Sequence, residues 1–279
     1  MKSLSTHTSQ SIQVNGRLIN FARPLIMGIL NVTPDSFFDG GQHQNIEAAI
    51  AKATQLIGDG ADIIDVGAYS SRPGAALISE TEELGRALPI VKAIKAQFPS
   101  VILSIDTFRA TVAAACVAAG ADIINDVSGG TIDKNMFATV AKLQVPYILM
   151  HMRGLPENMQ DLTAYTDIVD DVATFLGEKI SALRSLGVKD IILDPGFGFA
   201  KTVAQNHELL HRVDEFHYLG LPILGGISRK SMIYKKLNLT AQEALTGTIA
   251  LNTLLLAKGV QLLRVHDVKE AKQVIDLLF

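Results

Sequence analysis

Carboxylates, amides and cations recur in this chain at one kind of place, the polar end of a short apolar run. Asn31 follows IMGIL, Asp65 lies within IIDVG, Asp106 closes ILSID, and Asn125 and Asp126 sit in IINDV. His151 closes YILMH, Asp194 lies in IILDP, Ser228, Arg229 and Lys230 follow ILGGI, and Arg264 and His266 lie in LLRVH. A carboxylate accepts two N–H bonds at once, so Asp106 and Asp194, with the amide of Asn125, suit the amidine-like edge of a flat heterocycle. The guanidinium planes of Arg264 and Arg72 can stack on such a ring. Lys230, Arg264, Arg72 and His266 suit phosphate oxygens. The segment GGISRKS combines glycine, hydroxyls and cations just before a predicted helix, whose first backbone N–H groups favour an anion. Asp65 taken alone reads as structural, a partner for a neighbouring strand or loop. The set as a whole reads as a site, because burying so many unpaired polar groups without purpose is costly.

The elements that must position these residues have a regular spacing. Apolar runs at residues 25–30, 62–67, 101–106, 122–127, 146–152, 190–195, 222–228 and 262–266 are continuous rather than alternating, as in parallel strands covered on both faces. Between them lie amphipathic stretches. Ile46, Ala49, Ile50, Ala53 and Ile57 share one helical face, and Ile168, Val172, Phe175, Leu176 and Leu183 another. Gly60, Gly120, Gly187, Gly220 and Gly259 stand where helices should end. GADII occurs at 60–64 and again at 120–124, an echo of one repeated unit. Eight strand and helix units predict a closed (β/α)8 TIM barrel rather than an open doubly wound sheet, and no G-x-G-x-x-G follows the first strand. Ile12–Val14 and Arg17–Ile19 flank Asn15-Gly16, a hairpin signal. We therefore expect one domain over residues 1–279, with residues 1–24 an extension whose hairpin lids the N-terminal end of the barrel. In such barrels the chemistry lies at the C-terminal strand ends.

Composition narrows the function classes. The chain has 279 residues, 48% hydrophobic and 19% charged, with net charge −3 and no basic run that would suggest nucleic acid. Cys116 is the single cysteine, which excludes an intrachain disulfide and a cysteine metal cluster. It reads as a small buried residue on a helix. The polar first ten residues lack a signal-peptide core, and the apolar stretch 245–257 is short and interrupted by Thr, Gly and Asn. A cytoplasmic protein without a membrane partner is expected. The connections at 31–41 and 68–75 are long and rich in Gly, Pro and polar residues, which suits loops that close over a substrate.

Eight segments, in order along the chain, carry a family resemblance. MGILNVTPDSFFDGG (27–41), SSRPGA (70–75), SIDTFR (104–109), IINDVSGG (123–130), MHMRG (150–154), LDPGFGF (193–199), SRKSM (228–232) and RVHD (264–267) resemble the dihydropteroate synthases. The resemblance implies joining of p-aminobenzoate to 6-hydroxymethyl-7,8-dihydropterin diphosphate, with Mg2+ assisting, in a homodimer. It also implies residue roles. Asp106, Asn125, Asp194 and Lys230 would hold the pterin, and Arg264 would stack on the ring and reach the phosphates. Asn31 would help bind Mg2+ and pyrophosphate, and His266 and Arg72 would meet phosphate oxygens. Ser71, Arg72, Pro73, Phe199 and Ser228 would form the aminobenzoate pocket. Asp106, Lys230 and Arg264 are the expected catalytic set. The chain departs from the family pattern at Ala68-Tyr69, where Gly-Glu is usual, and at Ser71, where Thr is usual. A pterin-dependent methyltransferase shares the barrel and the pterin carboxylates but has no need of the first-loop motif or of phosphate-binding Arg264 and His266.

Overall fold

A computed structural model describes residues 10–32, 42–69 and 78–279. Strands β1 (Ser11–Val14) and β2 (Arg17–Asn20) pair antiparallel around Asn15-Gly16, both at positive φ, 49° and 75°. Those dihedral signs are what a two-residue hairpin turn demands. Eight strands follow: β3 (Leu25–Asn31), β4 (Ile63–Gly67), β5 (Ile102–Asp106), β6 (Ile123–Asp126), β7 (Tyr147–Met150), β8 (Ile191–Asp194), β9 (Leu224–Gly225) and β10 (Leu262–Val265). They pair in parallel in the order β8-β7-β6-β5-β4-β3-β10-β9. A parallel bridge between Leu193 and Ile223, with Leu193 N–H donating to the Pro222 carbonyl at 2.8 Å, joins the two ends and closes the barrel.

Helices α1 (Gln42–Gly58), α2 (Glu80–Gln97), α3 (Ala110–Ala118), α4 (Met136–Leu143), α5 (Ile168–Ser185), α6 (Val203–His211), α7 (Ser231–Leu237), α8 (Leu245–Ala257) and α9 (Val268–Leu278) surround it. Several start on side-chain caps: Ser79 accepts from Glu82 N–H, Asp167 from Val169 and Asp170 N–H, and Thr202 forms a capping box with Gln205. Cys116 is fully buried on α3. Among the described residues no helix is long and apolar enough to cross a membrane.

Strand periodicity layers the interior. Met27, Ile63, Ile123, Ile148, Ile192, Leu224 and Leu262 form an apolar floor together with Ile12, Val14 and Phe21 of the hairpin segment. The hairpin thus closes the N-terminal end, tied by Asn15 to Asp122 and by Gln13 N–H to Asp190 Oδ1 at 3.1 Å. Two residues further along the strands, on the same face, come Asp65, Ser104, Asn125, Asp194 and Arg264. The GADII echo has a structural meaning: Asp62 Oδ2 accepts the Ile26 N–H and Asp122 Oδ2 the Leu103 N–H, each at 2.8 Å. Each aspartate satisfies the start of the preceding strand. The run at 222–228 yields only a two-residue strand, because Pro222 offers no N–H and residues 227–230 turn back on themselves through Lys230 N–H to the Ile227 carbonyl.

Candidate active site

Arg264 on β10 links two carboxylates across the barrel. Its Nε donates to Asp65 Oδ2 and its Nη2 to Asp106 Oδ2, each at 2.7 Å. Asn125 Nδ2 donates to the same Asp65 oxygen at 3.0 Å, and the Tyr69 hydroxyl donates to Asp106 Oδ1 at 2.9 Å. Burial pushes the Asp106 carboxyl up to about 7, against the pull of Arg264 and with the push of Asp65. Burial works against the charge on Arg264, but Asp65 and Asp106 outweigh it and hold the guanidinium above its ordinary value. Asp65 Oδ1 and Ser104 Oγ, on residues paired in register, are buried without a hydrogen-bond partner among the described residues.

Asp194 ends β8 beside a tightly fixed loop. Its Oδ1 accepts the Gly196 N–H at 2.7 Å. Gly196 has φ +73°, and a Cβ there would lie 2.0 Å from the His151 carbonyl oxygen, so only glycine fits. Burial raises the Asp194 pKa, opposed by Lys230, the Gly196 amide, Arg264 and Lys201. Lys230 Nζ donates to the Phe197 carbonyl and lies 4.4 Å from the Phe199 ring centroid. Loss of water pulls Lys230 down to about 8, with Asp194 opposing.

The loop after β9 is braced from the loop after β10. Arg229, in the left-handed region at φ 54°, places its guanidinium on both Asp267 oxygens at 2.9 and 2.8 Å, and its N–H donates to Thr248 Oγ1 at 3.1 Å. These contacts offset the cost of the strained backbone and leave Ser228 and Lys230 flanking it. Ser228 Oγ accepts the His266 N–H at 3.2 Å and lies 3.1 Å from its Nδ1. Asn31 ends β3. A Cβ on Gly67 would lie 3.3 Å from Asn31 Oδ1 and 3.7 Å from Asp106 Oδ2, so the glycine leaves a hollow beside both oxygens.

The interior therefore brings together Asp106, Asn125 and Arg264, with Asp194 on the same face. Asp65, expected to serve a neighbouring strand or loop, instead accepts from Arg264 on β10 and Asn125 on β6, each two strands away, and so belongs to the same polar layer. Two other strand-end residues point away from the interior. Asp126 accepts from Tyr147 hydroxyl, from Ser128 N–H and Oγ, and from Gly130 N–H, and so shapes its own loop. His151 meets Lys201 Nζ at 3.0 Å and the Phe175 ring edge-on at 5.0 Å, and burial holds its pKa down to about 2. Ser71, Arg72 and Pro73, and the first-loop motif at 33–41 with Asp35, lie outside the described residues. Sequence reasoning missed Lys201, whose buried ammonium also meets the Gly196 and Phe199 carbonyls at 2.9 and 3.0 Å. It saw Tyr69 only as a departure from a pattern, although its place two residues past a barrel strand was a signal.

Residues 27–266 match the profile of a family described as pterin binding enzyme. A dihydropteroate synthase of Streptococcus pyogenes serotype M3 is 45% identical over 267 residues, 94% of this chain and 97% of that protein. The chain belongs to the dihydropteroate synthases. The Escherichia coli K12 dihydropteroate synthase is 42% identical over 257 residues, covering 91% of this chain and 90% of its own. A Yersinia pestis dihydropteroate synthase in a sulfonamide drug complex superposes with TM-score 0.89 at 40% identity, covering 96% of this chain and 97% of that one. A Xanthomonas albilineans dihydropteroate synthase with 4-aminobenzoic acid superposes with TM-score 0.90 at 40% identity, covering 97% of each chain. The fold, the family and the class of enzyme, a transferase, agree with the sequence reading.

Proposed function

We infer that the polar layer above the apolar floor is where this chain condenses 6-hydroxymethyl-7,8-dihydropterin diphosphate with p-aminobenzoate, releasing 7,8-dihydropteroate and pyrophosphate in folate biosynthesis. The observation that carries the assignment is Arg264 held between Asp65 and Asp106, with Asp194 and Lys230 beside it. Asp194 accepts from the pterin amidine edge, and Asn125 and Lys230 meet its other polar atoms. Arg264 presents a guanidinium plane for the ring. The C–O bond to the diphosphate breaks and its electron pair leaves with pyrophosphate. Arg264, Arg72 and His266 meet the oxygens on which charge develops. The methylene left behind is electron-poor, and the Asp106 carboxylate stabilises it. The p-aminobenzoate nitrogen attacks that carbon, and the proton it loses passes to the departing pyrophosphate or to water. No protein nucleophile takes part.

Mg2+ takes oxygen ligands and keeps several waters beside phosphate. Asn31 Oδ1 at the hollow over Gly67 fits such an ion. Among the described residues no group of three His, Cys, Asp or Glu side chains could hold a metal, and Asn31 would hold the ion together with oxygens of the substrate diphosphate. When bound, the ion would offset charge on the leaving group.

Another Xanthomonas albilineans structure, with TM-score 0.85 and 37% identity, holds 7,8-dihydropteroate. By that likeness, and that of the 4-aminobenzoic acid and sulfonamide complexes, this chain takes p-aminobenzoate in a pocket of Ser71, Arg72, Pro73, Phe199 and Ser228 and is inhibited by sulfonamides. It acts in the cytoplasm as a homodimer. Support for the dimer comes from α8, LTGTIALNTLLLA, which is apolar around its circumference and leaves Ile249, Leu251 and Leu254 only partly buried. Pyrophosphate release by the purified chain, dependent on both substrates, tests the reading. Release at an undiminished rate with the pterin diphosphate alone would refute it.

A further inference from the structure

We propose that Tyr69 is a positioning residue for Asp106, holding its carboxylate, together with Arg264, in the orientation that the pterin reaction uses. The inference rests on the role of Asp106 given above. The phenol donates to Oδ1 at 2.9 Å while Arg264 donates to Oδ2 at 2.7 Å. With one donor on each oxygen, rotation of the carboxylate is restrained from both sides. The two donors come from different parts of the barrel, one from the segment after β4 and one from β10.

Tyr69 is itself fixed. It is 6% exposed, and its ring stands edge-on to Phe108 with centroids 5.0 Å apart and planes at 80°. Val127, Met150 and Met152 belong to the same apolar cluster. Phe108 is two residues beyond Asp106, so one short stretch of chain supplies both the acceptor for the hydroxyl and the surface for the ring. That stretch is anchored in turn. Thr107 Oγ1 donates to the fully buried Glu83 at 2.5 Å, and Arg109 pairs with Glu83 and donates to the Ile78 carbonyl. Burial, and then the charge of Asp106, push the phenol well above its ordinary pKa, so it stays a donor. Arg264, Asp65, Glu83 and Lys230 are the charged groups that also act on Asp106. A tyrosine needed only for packing would have no use for the hydroxyl, since phenylalanine makes the same ring contacts.

The test compares wild type, Tyr69→Phe, Asp106→Asn and the double variant. Tyr69→Phe keeps the ring and its Phe108 contact. We expect kcat to fall about tenfold, the size of one hydrogen bond to a charged group, while KM for p-aminobenzoate stays put and the thermal midpoint falls by only about 2–4 °C. Calorimetry with 7,8-dihydropteroate then separates positioning from packing. Tyr69→Phe should cost about tenfold in affinity when Asp106 is intact and less than roughly twofold in the Asp106→Asn background. Equal losses in both backgrounds, or a Tyr69→Phe enzyme with wild-type kcat, would overturn the inference and leave the assigned reaction standing. A wild-type chain that makes no dihydropteroate would overturn both.

Discussion

The guanidinium of Arg264 reaches Oδ2 of Asp106 at 2.7 Å, and its Nε reaches Asp65 at the same distance. A planar fork is needed to satisfy both, because the two carboxylates lie on adjacent strands, β4 and β5. Lysine keeps the charge but has neither the fork nor a plane for a ring. Arg264→Lys should lose at least about tenfold in both pterin affinity and kcat. Steady-state kinetics with calorimetry check this, and unchanged constants would show that Arg264 does neither job.

Asp194 is the carboxylate best placed to read the pterin edge, with one oxygen on the Gly196 amide and a pKa that burial raises against the opposing charge of Lys230. Asp194→Asn replaces an acceptor by a donor and removes the charge opposite Lys230. Pterin binding should weaken by roughly 2–5 kcal/mol. Calorimetry on the folded variant decides the point, and wild-type affinity would remove Asp194 from the site.

Much of this arrangement was legible in the sequence because strands buried on both faces read as continuous apolar runs. The phase of each strand was harder to read. Asn125 and Asp126 are neighbours, yet one reaches the interior and the other braces its own loop through Tyr147, Ser128 and Gly130. A one-residue step reverses the face, and four-residue strands leave little pattern to fix it. Lys201 was hidden for a different reason: its near partners are backbone carbonyls, of Gly196 and Phe199, which no residue type marks, and its side-chain partner His151 is 50 residues away. Tyr69 was visible, but its acceptor is supplied by a different strand.

The burial of Asp106 has a consequence for stability. Its folded pKa, about 7, lies above the ordinary 3.8. Its contribution to stability is therefore fully present below the ordinary value and is lost as pH rises through about 7. Asp106→Asn imitates the protonated acid. It should melt about 2–6 °C above wild type at pH 8 and close to wild type at pH 4, while turning over slowly. A variant that melts lower than wild type at pH 8 would show that the Arg264 and Tyr69 contacts outweigh the burial cost.

Residues 71–73, assigned to the aminobenzoate pocket, and 33–41, in the first-loop motif, lie on the two long connections. We expect p-aminobenzoate to bind weakly to the empty enzyme and tightly beside a pterin with Mg-pyrophosphate, because a first ligand that completes the site lowers the cost of binding the second. Sulfonamides should follow the same order and compete with p-aminobenzoate. Equal affinity with and without pyrophosphate contradicts this order of binding, and turnover that persists in a large excess of sulfonamide contradicts the competition.

The central claim is that this barrel joins a pterin methylene to an arylamine at the expense of a diphosphate. The most direct measurement is mass spectrometry of the product made from isotopically labelled p-aminobenzoate and 6-hydroxymethyl-7,8-dihydropterin diphosphate, with pyrophosphate counted in the same reaction. Labelled 7,8-dihydropteroate should form in a one-to-one ratio with pyrophosphate, and omission of either substrate should stop both. Pyrophosphate released at an undiminished rate without p-aminobenzoate, or no labelled pteroate at all, would contradict the account.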